Sequence, residues 1–121
     1  MGKYDYILSQ KVHNRIYGFY INVARKYSHT YSFELMEKNV NSAYSSIYKI
    51  ENGLLRRKPT ISRWNGLFMA NAGKWYFAYR IEGDTIYVED ACHAQNMHEV
   101  LLRNRIRRIV LECIRELNIQ A

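Results

Sequence analysis

The sequence predicts an α+β domain in which an N-terminal helical hairpin packs on a small antiparallel β-sheet and a long helix ends the chain. Three observations predict it. Apolar residues follow the 3.6-residue period of helices up to about Gly53, alternate as in strands from Leu67 to Cys92, and return to the helical period after His93. The 121 residues suffice for one domain of ordinary size, so we expect residues 1–121 to fold as a single unit.

Two helices are predicted in the N-terminal half. The first runs from about Gln10 to Tyr27, and Tyr4 to Leu8 before it is a candidate edge strand. Its apolar stripe consists of Val12, Ile16, Phe19, Tyr20, Val23, Ala24 and Tyr27. Cap-forming hydroxyl residues then precede a second stripe, which consists of Phe33, Met36, Val40, Ala43, Ile47, Ile50 and Leu54. An end near Asn52-Gly53 makes the two helices an antiparallel hairpin.

A β-hairpin is predicted after the helices. The connection from Leu54 to Asn65 carries the only proline, Pro59, and is a loop rather than a domain linker. Beyond it the period changes to two. The strand candidates are, in order, Leu67 to Met69, Trp75 to Ile81 and Thr85 to Cys92, with a turn at Gly83-Asp84 between the last two.

The chain is predicted to end in a basic helix over about residues 97–118, as an extension of the domain. Its apolar stripe consists of Leu102, Ile106, Ile109, Cys113 and Leu117, and its other faces carry Arg103, Arg107, Arg108 and Arg115. A homo-oligomer through this helix is one expectation for its role.

Charge and cysteine usage limit the function. With 18 Lys and Arg against 11 Asp and Glu, the net charge of +7 favours nucleic acid, ribosome, anionic membrane or an acidic protein over a neutral metabolite. Cys92 and Cys113 lack metal-ligand spacing, so we expect free thiols, no metal or cofactor, and a cytoplasmic location. No apolar run suits a signal peptide or approaches the ~18 residues of a membrane span, so we expect no membrane partner.

The predicted β-hairpin resembles a known family. Its first strand is Trp75-Tyr76-Phe77-Ala78-Tyr79-Arg80-Ile81, its turn Glu82-Gly83-Asp84-Thr85, and its second strand ends Asp90-Ala91-Cys92-His93. These segments and the order of elements resemble the RelE/ParE toxins of bacterial type II toxin–antitoxin systems, over about Tyr4 to His98. Tyr76 and Ala94 stand where the family has arginines, and His98 stands where it has a late tyrosine.

The resemblance implies a toxin with a cognate acidic antitoxin as its partner. Its RelE branch implies ribosome-dependent mRNA cleavage without metal, which needs a base, an acid and a cation at the phosphate. We expect Arg80 as the phosphate clamp, His93 and His98 as the acid–base pair on the same rim, and Lys74 as a further cation. The expected RNA-backbone contacts are Arg56, Arg57, Lys58 and Arg63.

Other interpretations remain open for the function and for each residue. The ParE branch implies a DNA gyrase inhibitor that needs no acid–base pair, and the two missing arginines favour it. A degenerate toxin that acts only as a basic antitoxin-binding or RNA-binding module is a third possibility. Each residue also has a purely structural interpretation. His93 would then pack or cap at the end of its strand, and Arg80 would pair with Glu82 or Glu89 across the sheet. The basic residues between Leu54 and Asn65 would form a solvated surface.

Overall fold

The structure is a computed structural model and describes residues 2–97. Two helices and four strands follow one another, with a 3-10 helix between α2 and β2. Their bounds are β1 Asp5–Leu8, α1 Gln10–Lys26, α2 Phe33–Ile47, 3-10 helix Ser62–Trp64, β2 Phe68–Ala72, β3 Trp75–Glu82 and β4 Thr85–His93. The predicted C-terminal helix, with His98 and Cys113, lies outside the described residues.

The helical hairpin forms as predicted, and serine side chains cap both helices. The Ser9 hydroxyl accepts the Val12 amide at 3.3 Å, and the Ser32 hydroxyl accepts the Leu35 amide at 3.1 Å. α2 ends at Ile47, earlier than the predicted end near Asn52-Gly53. The chain tightens there because Lys49 and Ile50 donate to carbonyls three residues back, each at 3.1 Å.

The sheet is mixed rather than purely antiparallel. Its order is β1-β4-β3-β2, and the β2–β3 and β3–β4 pairs are antiparallel as predicted. β1 is the predicted edge strand, but it joins β4 in parallel, with Asp5 opposite Thr85 and Leu8 opposite Val88. The α1–α2 hairpin lies between β1 and the rest of the sheet in sequence, which allows this parallel pairing.

Apolar side chains cover both faces of the sheet. On one face, α1 and α2 pack Val12, Ile16 and Ile47 against strand residues that include Phe77 and Ile86. A smaller cluster consists of Ile61, Trp64, Ala78, Cys92 and Met97. The loop with the 3-10 helix therefore contributes to the core and is not only a connection.

A β-bulge divides the β3–β4 hairpin into two halves. Ala78 pairs with Asp90 and Tyr79 pairs with Val88, so Glu89 is an extra residue in β4. We call Tyr79–Glu82 with Thr85–Val88 the turn half, and Trp75–Ala78 with Asp90–His93 the open half. Since β1 pairs only with residues 85–88, no described strand lies beside β4 on that side of the open half.

Candidate functional site

Arg80 lies in the turn half and is engaged by two carboxylates. Its Nε donates to Glu89 Oε1 at 2.9 Å, and its Nη1 donates to Glu82. Its guanidinium also stacks over the Tyr87 ring, 3.9 Å from the centroid. The hydrogen bond to Glu89 raises the pKa of Arg80. The positive charge of Arg80 is therefore balanced locally, as in the interpretation of a cross-strand ion pair.

His93 ends the open half and packs against aromatic rings. Its ring stacks on Phe19 of α1 with centroids 4.0 Å apart, and it meets Trp75 edge-on at 5.3 Å. Its Nδ1 accepts the Gln95 amide at 3.2 Å, so the neutral ring carries its proton on Nε2. Burial, and then the nearby charge of Lys74, lower the pKa of His93. The ring is consequently neutral at neutral pH.

The structure does not bring Arg80 and His93 together, so the expected common rim is not formed. His93 pairs with Trp75, whereas Arg80 lies five positions further along β3, opposite Tyr87. At ~3.4 Å per residue this separation is about 17 Å. Arg80 also points to the opposite face of the sheet from Trp75, because side chains alternate along a strand. Lys74 lies beside His93, and the other expected acid–base residue, His98, is outside the described residues.

The predicted RNA contacts fall in two places. Arg56, Arg57 and Lys58 are exposed and follow the outer edge of β2, where the Arg57 carbonyl accepts the Met69 amide at 2.9 Å. Arg56 has a positive φ of 58°, and its amide donates to the Tyr79 hydroxyl at 2.9 Å. Arg63 lies apart from them on the 3-10 helix, with its guanidinium 5.5 Å from the Trp64 ring centroid.

A buried carboxylate in the open half gathers cationic side chains that the sequence did not single out. Asp90 is 4% exposed; its Oδ2 accepts the Trp64 indole N–H at 3.0 Å and its Oδ1 accepts the Ala91 amide at 2.8 Å. From α1, Arg15 Nε lies 3.4 Å from Oδ1 and Lys11 Nζ lies 3.8 Å from Oδ2. We call Asp90, Lys11, Arg15 and the neighbouring Arg63 the Asp90 cluster.

Arg63 is included in the cluster because its guanidinium lies 5.5 Å from the centroid of the Trp64 ring, whose N–H binds Asp90. Burial raises the pKa of the Cys92 thiol, and the charges of Arg63 and Arg15 act in the opposite direction. The sequence offered little signal for Lys11 and Arg15, since two cations four residues apart are ordinary on an exposed helix surface.

Two general features of residues 2–97 bear on function. No group of three His, Cys, Asp or Glu side chains in this range is arranged to hold a metal ion. None of its helices is long and apolar enough to span a membrane.

Residues 2–97 form a helical hairpin packed on a four-stranded mixed sheet, which defines an α+β fold. The structure matches a solved chain of the chromosomal ParDE TA system from P. aeruginosa, with a TM-score of 0.57 and 10% identity over 75% of this chain and 96% of that chain. The similarity confirms the predicted α+β fold of a helical hairpin on a small sheet. By sequence, no family model and no curated protein matches the chain.

Proposed function

We propose that this chain is the toxin component of a type II toxin–antitoxin system and that it inhibits its target by binding, without cutting RNA. The shared fold supports the first part, because the matching solved chain comes from a ParDE TA system. For a toxin without an acid–base pair, the family resemblance implies a ParE-like inhibitor of DNA gyrase. The proposed partner is a cognate acidic antitoxin, which would complement the net charge of +7.

The environment of His93 carries the second part of the proposal. A general base needs a free lone pair at the reacting atom, and a general acid needs a proton to give. The Nδ1 lone pair of His93 is taken by the Gln95 amide, and Phe19 covers one face of the ring. Because its pKa is lowered, the ring also lacks the second proton of an imidazolium at neutral pH. We therefore assign His93 a packing role against Phe19 and no role in proton transfer.

The placement of Arg80 supports the same conclusion. A phosphate clamp must present its N–H groups to the phosphate beside the acid and base. Arg80 donates to Glu82 and Glu89, and it lies in the half of the hairpin that does not contain His93. We propose instead that the target is met by the open half, where cations outnumber the one carboxylate, Asp90.

The proposal is tested by inducing the wild-type chain and a His93→Phe/Arg80→Gln variant in a bacterium. Phenylalanine keeps the stack on Phe19 and removes both ring nitrogens, and circular dichroism checks that the variant folds. We expect both proteins to arrest growth, to leave transcript ends unchanged in primer extension, and to inhibit supercoiling by purified gyrase. New codon-phased cuts that the variant loses would overturn binding without cleavage. Absence of growth arrest by soluble wild-type protein would overturn the toxin assignment.

A second candidate, a ribosome-dependent mRNA endoribonuclease, is favoured by Lys74. Its ammonium lies close enough to His93 to lower the pKa of that ring. A cation beside a neutral histidine suits the activation of a ribose hydroxyl next to a phosphate. In this candidate His93 would first release the Gln95 amide, and His98 would supply the other proton group. The transcript mapping described above separates the two candidates.

A further inference from the structure

We propose that the Asp90 cluster is a binding site for the phosphodiester backbone of a nucleic-acid strand. Lys11 and Arg15 of α1 lie 3.8 and 3.4 Å from the Asp90 carboxylate, and Arg63 of the 3-10 helix lies over the Trp64 ring that donates to the same carboxylate. The cluster therefore carries three positive charges against one negative charge. Phosphate contacts of this kind position a strand without reading its sequence.

Asp90 acts in this site as a positioning residue. It is buried, and its carboxylate is held by the Trp64 indole and the Ala91 amide. Because these two hydrogen bonds hold the carboxylate in place, its negative charge orients the cations of α1 toward it. Cations held in place before binding lose less side-chain entropy when a phosphate arrives.

The cations keep hydrogen-bond donors for a ligand. The side chains of Lys11 and Arg15 are 60% and 48% exposed, and their contacts with Asp90, at 3.8 and 3.4 Å, are longer than close ion pairs. Arg15 approaches Asp90 through Nε, which leaves its two terminal nitrogens for a bidentate contact with phosphate. The carboxylate therefore orients these cations without consuming them.

Arg63 is connected to the site through Trp64. Its guanidinium lies 5.5 Å from the Trp64 ring centroid, and that ring is itself hydrogen-bonded to Asp90. Trp64 therefore links Arg63 to the carboxylate that holds Lys11 and Arg15. A strand of nucleic acid lying across Asp90 would meet all three cations.

The loop run Arg56, Arg57 and Lys58 provides a matched comparison. It has the same number of positive charges, but it follows β2 and has no buried carboxylate to position it in the described part of the chain. If net charge alone governs binding, the two sets are equivalent. If arrangement governs it, the Asp90 cluster dominates.

Fluorescence anisotropy of the purified full chain with labelled 12-nucleotide RNA and DNA of one sequence tests the proposal. The variants are Lys11→Gln/Arg15→Gln/Arg63→Gln and, as the charge-matched control, Arg56→Gln/Arg57→Gln/Lys58→Gln. Both variants keep the five arginines between residues 103 and 115, so any binding by these arginines is the same in the two proteins.

We expect the cluster variant to bind both strands roughly 100-fold more weakly at 0.1 M salt, with a salt slope smaller by about 2. The loop variant should bind like wild type. An equal or greater loss in the loop variant, a loss confined to RNA or to DNA, or no binding by wild type would overturn the proposal.

A single substitution keeps the test decisive if the triple variant unfolds. Arg63→Gln leaves the Asp90 hydrogen bonds and ion pairs intact. It should weaken binding about fivefold and reduce the salt slope by about 0.7. An unchanged slope in the folded variant would contradict a phosphate contact by Arg63. The assay needs no toxicity, so its failure is distinguishable from failure of the proposed function.

Discussion

The two halves of the β3–β4 hairpin differ in how the charges of their side chains are balanced. In the turn half, Arg80 lies between Glu82 and Glu89, and its charge is balanced on the surface. In the open half, one buried carboxylate, Asp90, faces two exposed cations of α1. The local balance of charge, rather than the presence of an arginine in a strand, therefore distinguishes a binding surface from a solvated one.

A single extra residue creates this difference. Because of the bulge at Glu89, Val88 and Ala91 both pack into the main core, although strict alternation would place them on opposite faces. Glu89 thereby meets Arg80, and Asp90 meets Trp64 and α1. The bulge thus directs one carboxylate, Glu89, to Arg80 in the turn half and the next, Asp90, to the open half.

The largest loss of stability is expected from Asp90→Ala, which removes the central carboxylate of the open half. The substitution leaves the buried Trp64 indole N–H without an acceptor and the α1 cations without their counter-charge. We expect the free energy of unfolding to fall by about 3 kcal/mol. Urea denaturation with an unchanged slope measures it. Asp90→Asn, which keeps an acceptor oxygen, should cost less, and a loss below about 0.5 kcal/mol for the alanine variant would contradict the role given to Asp90.

A smaller effect is expected from His93→Ala. The change removes the stacked pair with Phe19 and the edge contact with Trp75. We expect a loss of about 1–2 kcal/mol in the same measurement, and a smaller loss for His93→Phe, which keeps an aromatic ring. Equal losses for the two variants would show that stacking is not what His93 contributes.

The pH dependence of stability tests whether His93 is buried as a neutral ring. Folding lowers the pKa of His93, so the unfolded chain binds more protons at this position as the pH falls below about 6.5. The contribution of His93 to stability is complete above that pH and is lost as the pH falls toward the lowered folded pKa. The free energy of unfolding should therefore decrease more between pH 7.5 and pH 5 in wild type than in His93→Phe. Parallel pH profiles would contradict burial of a neutral ring.

The smallest effect is expected from Arg80→Gln in the turn half. The ion pairs of Arg80 are on the surface, with 41% of its side chain exposed, and such pairs contribute little to stability. The urea midpoint should match that of wild type within the scatter of repeated measurements. A Glu82→Gln/Glu89→Gln variant serves as the reciprocal control. A shift as large as that of His93→Ala would show that the turn half is not the solvated surface described here.

The fold was predictable from the sequence because its elements have strong local signals. The stripes of α1 and α2 and the alternation around Gly83 predicted the helical hairpin and the β-hairpin, although α2 ends at Ile47 rather than near Gly53. The direction of β1 was not predictable, since an edge strand of four residues carries no signal for parallel or antiparallel pairing.

The candidate site was less predictable because it depends on the bulge. Ala91 and Cys92, which follow the bulge, are small enough to fit either face of the sheet, so the sequence looks like continuous alternation. Arg80 and His93 were correctly placed on the hairpin but wrongly expected on one rim. Asp90, Lys11 and Arg15 come together only in three dimensions, from positions almost eighty residues apart.

Growth arrest by two charge-matched variants tests most directly the claim that the open half meets the target. Arg15→Gln/Arg63→Gln removes two arginines at the open half, and Arg57→Gln/Arg80→Gln removes two elsewhere. With both proteins induced to equal soluble levels, we expect the first variant to lose most of the arrest and the second to arrest growth like wild type. Full arrest by the first variant, or loss of arrest in the second, would show that the target does not bind at the open half.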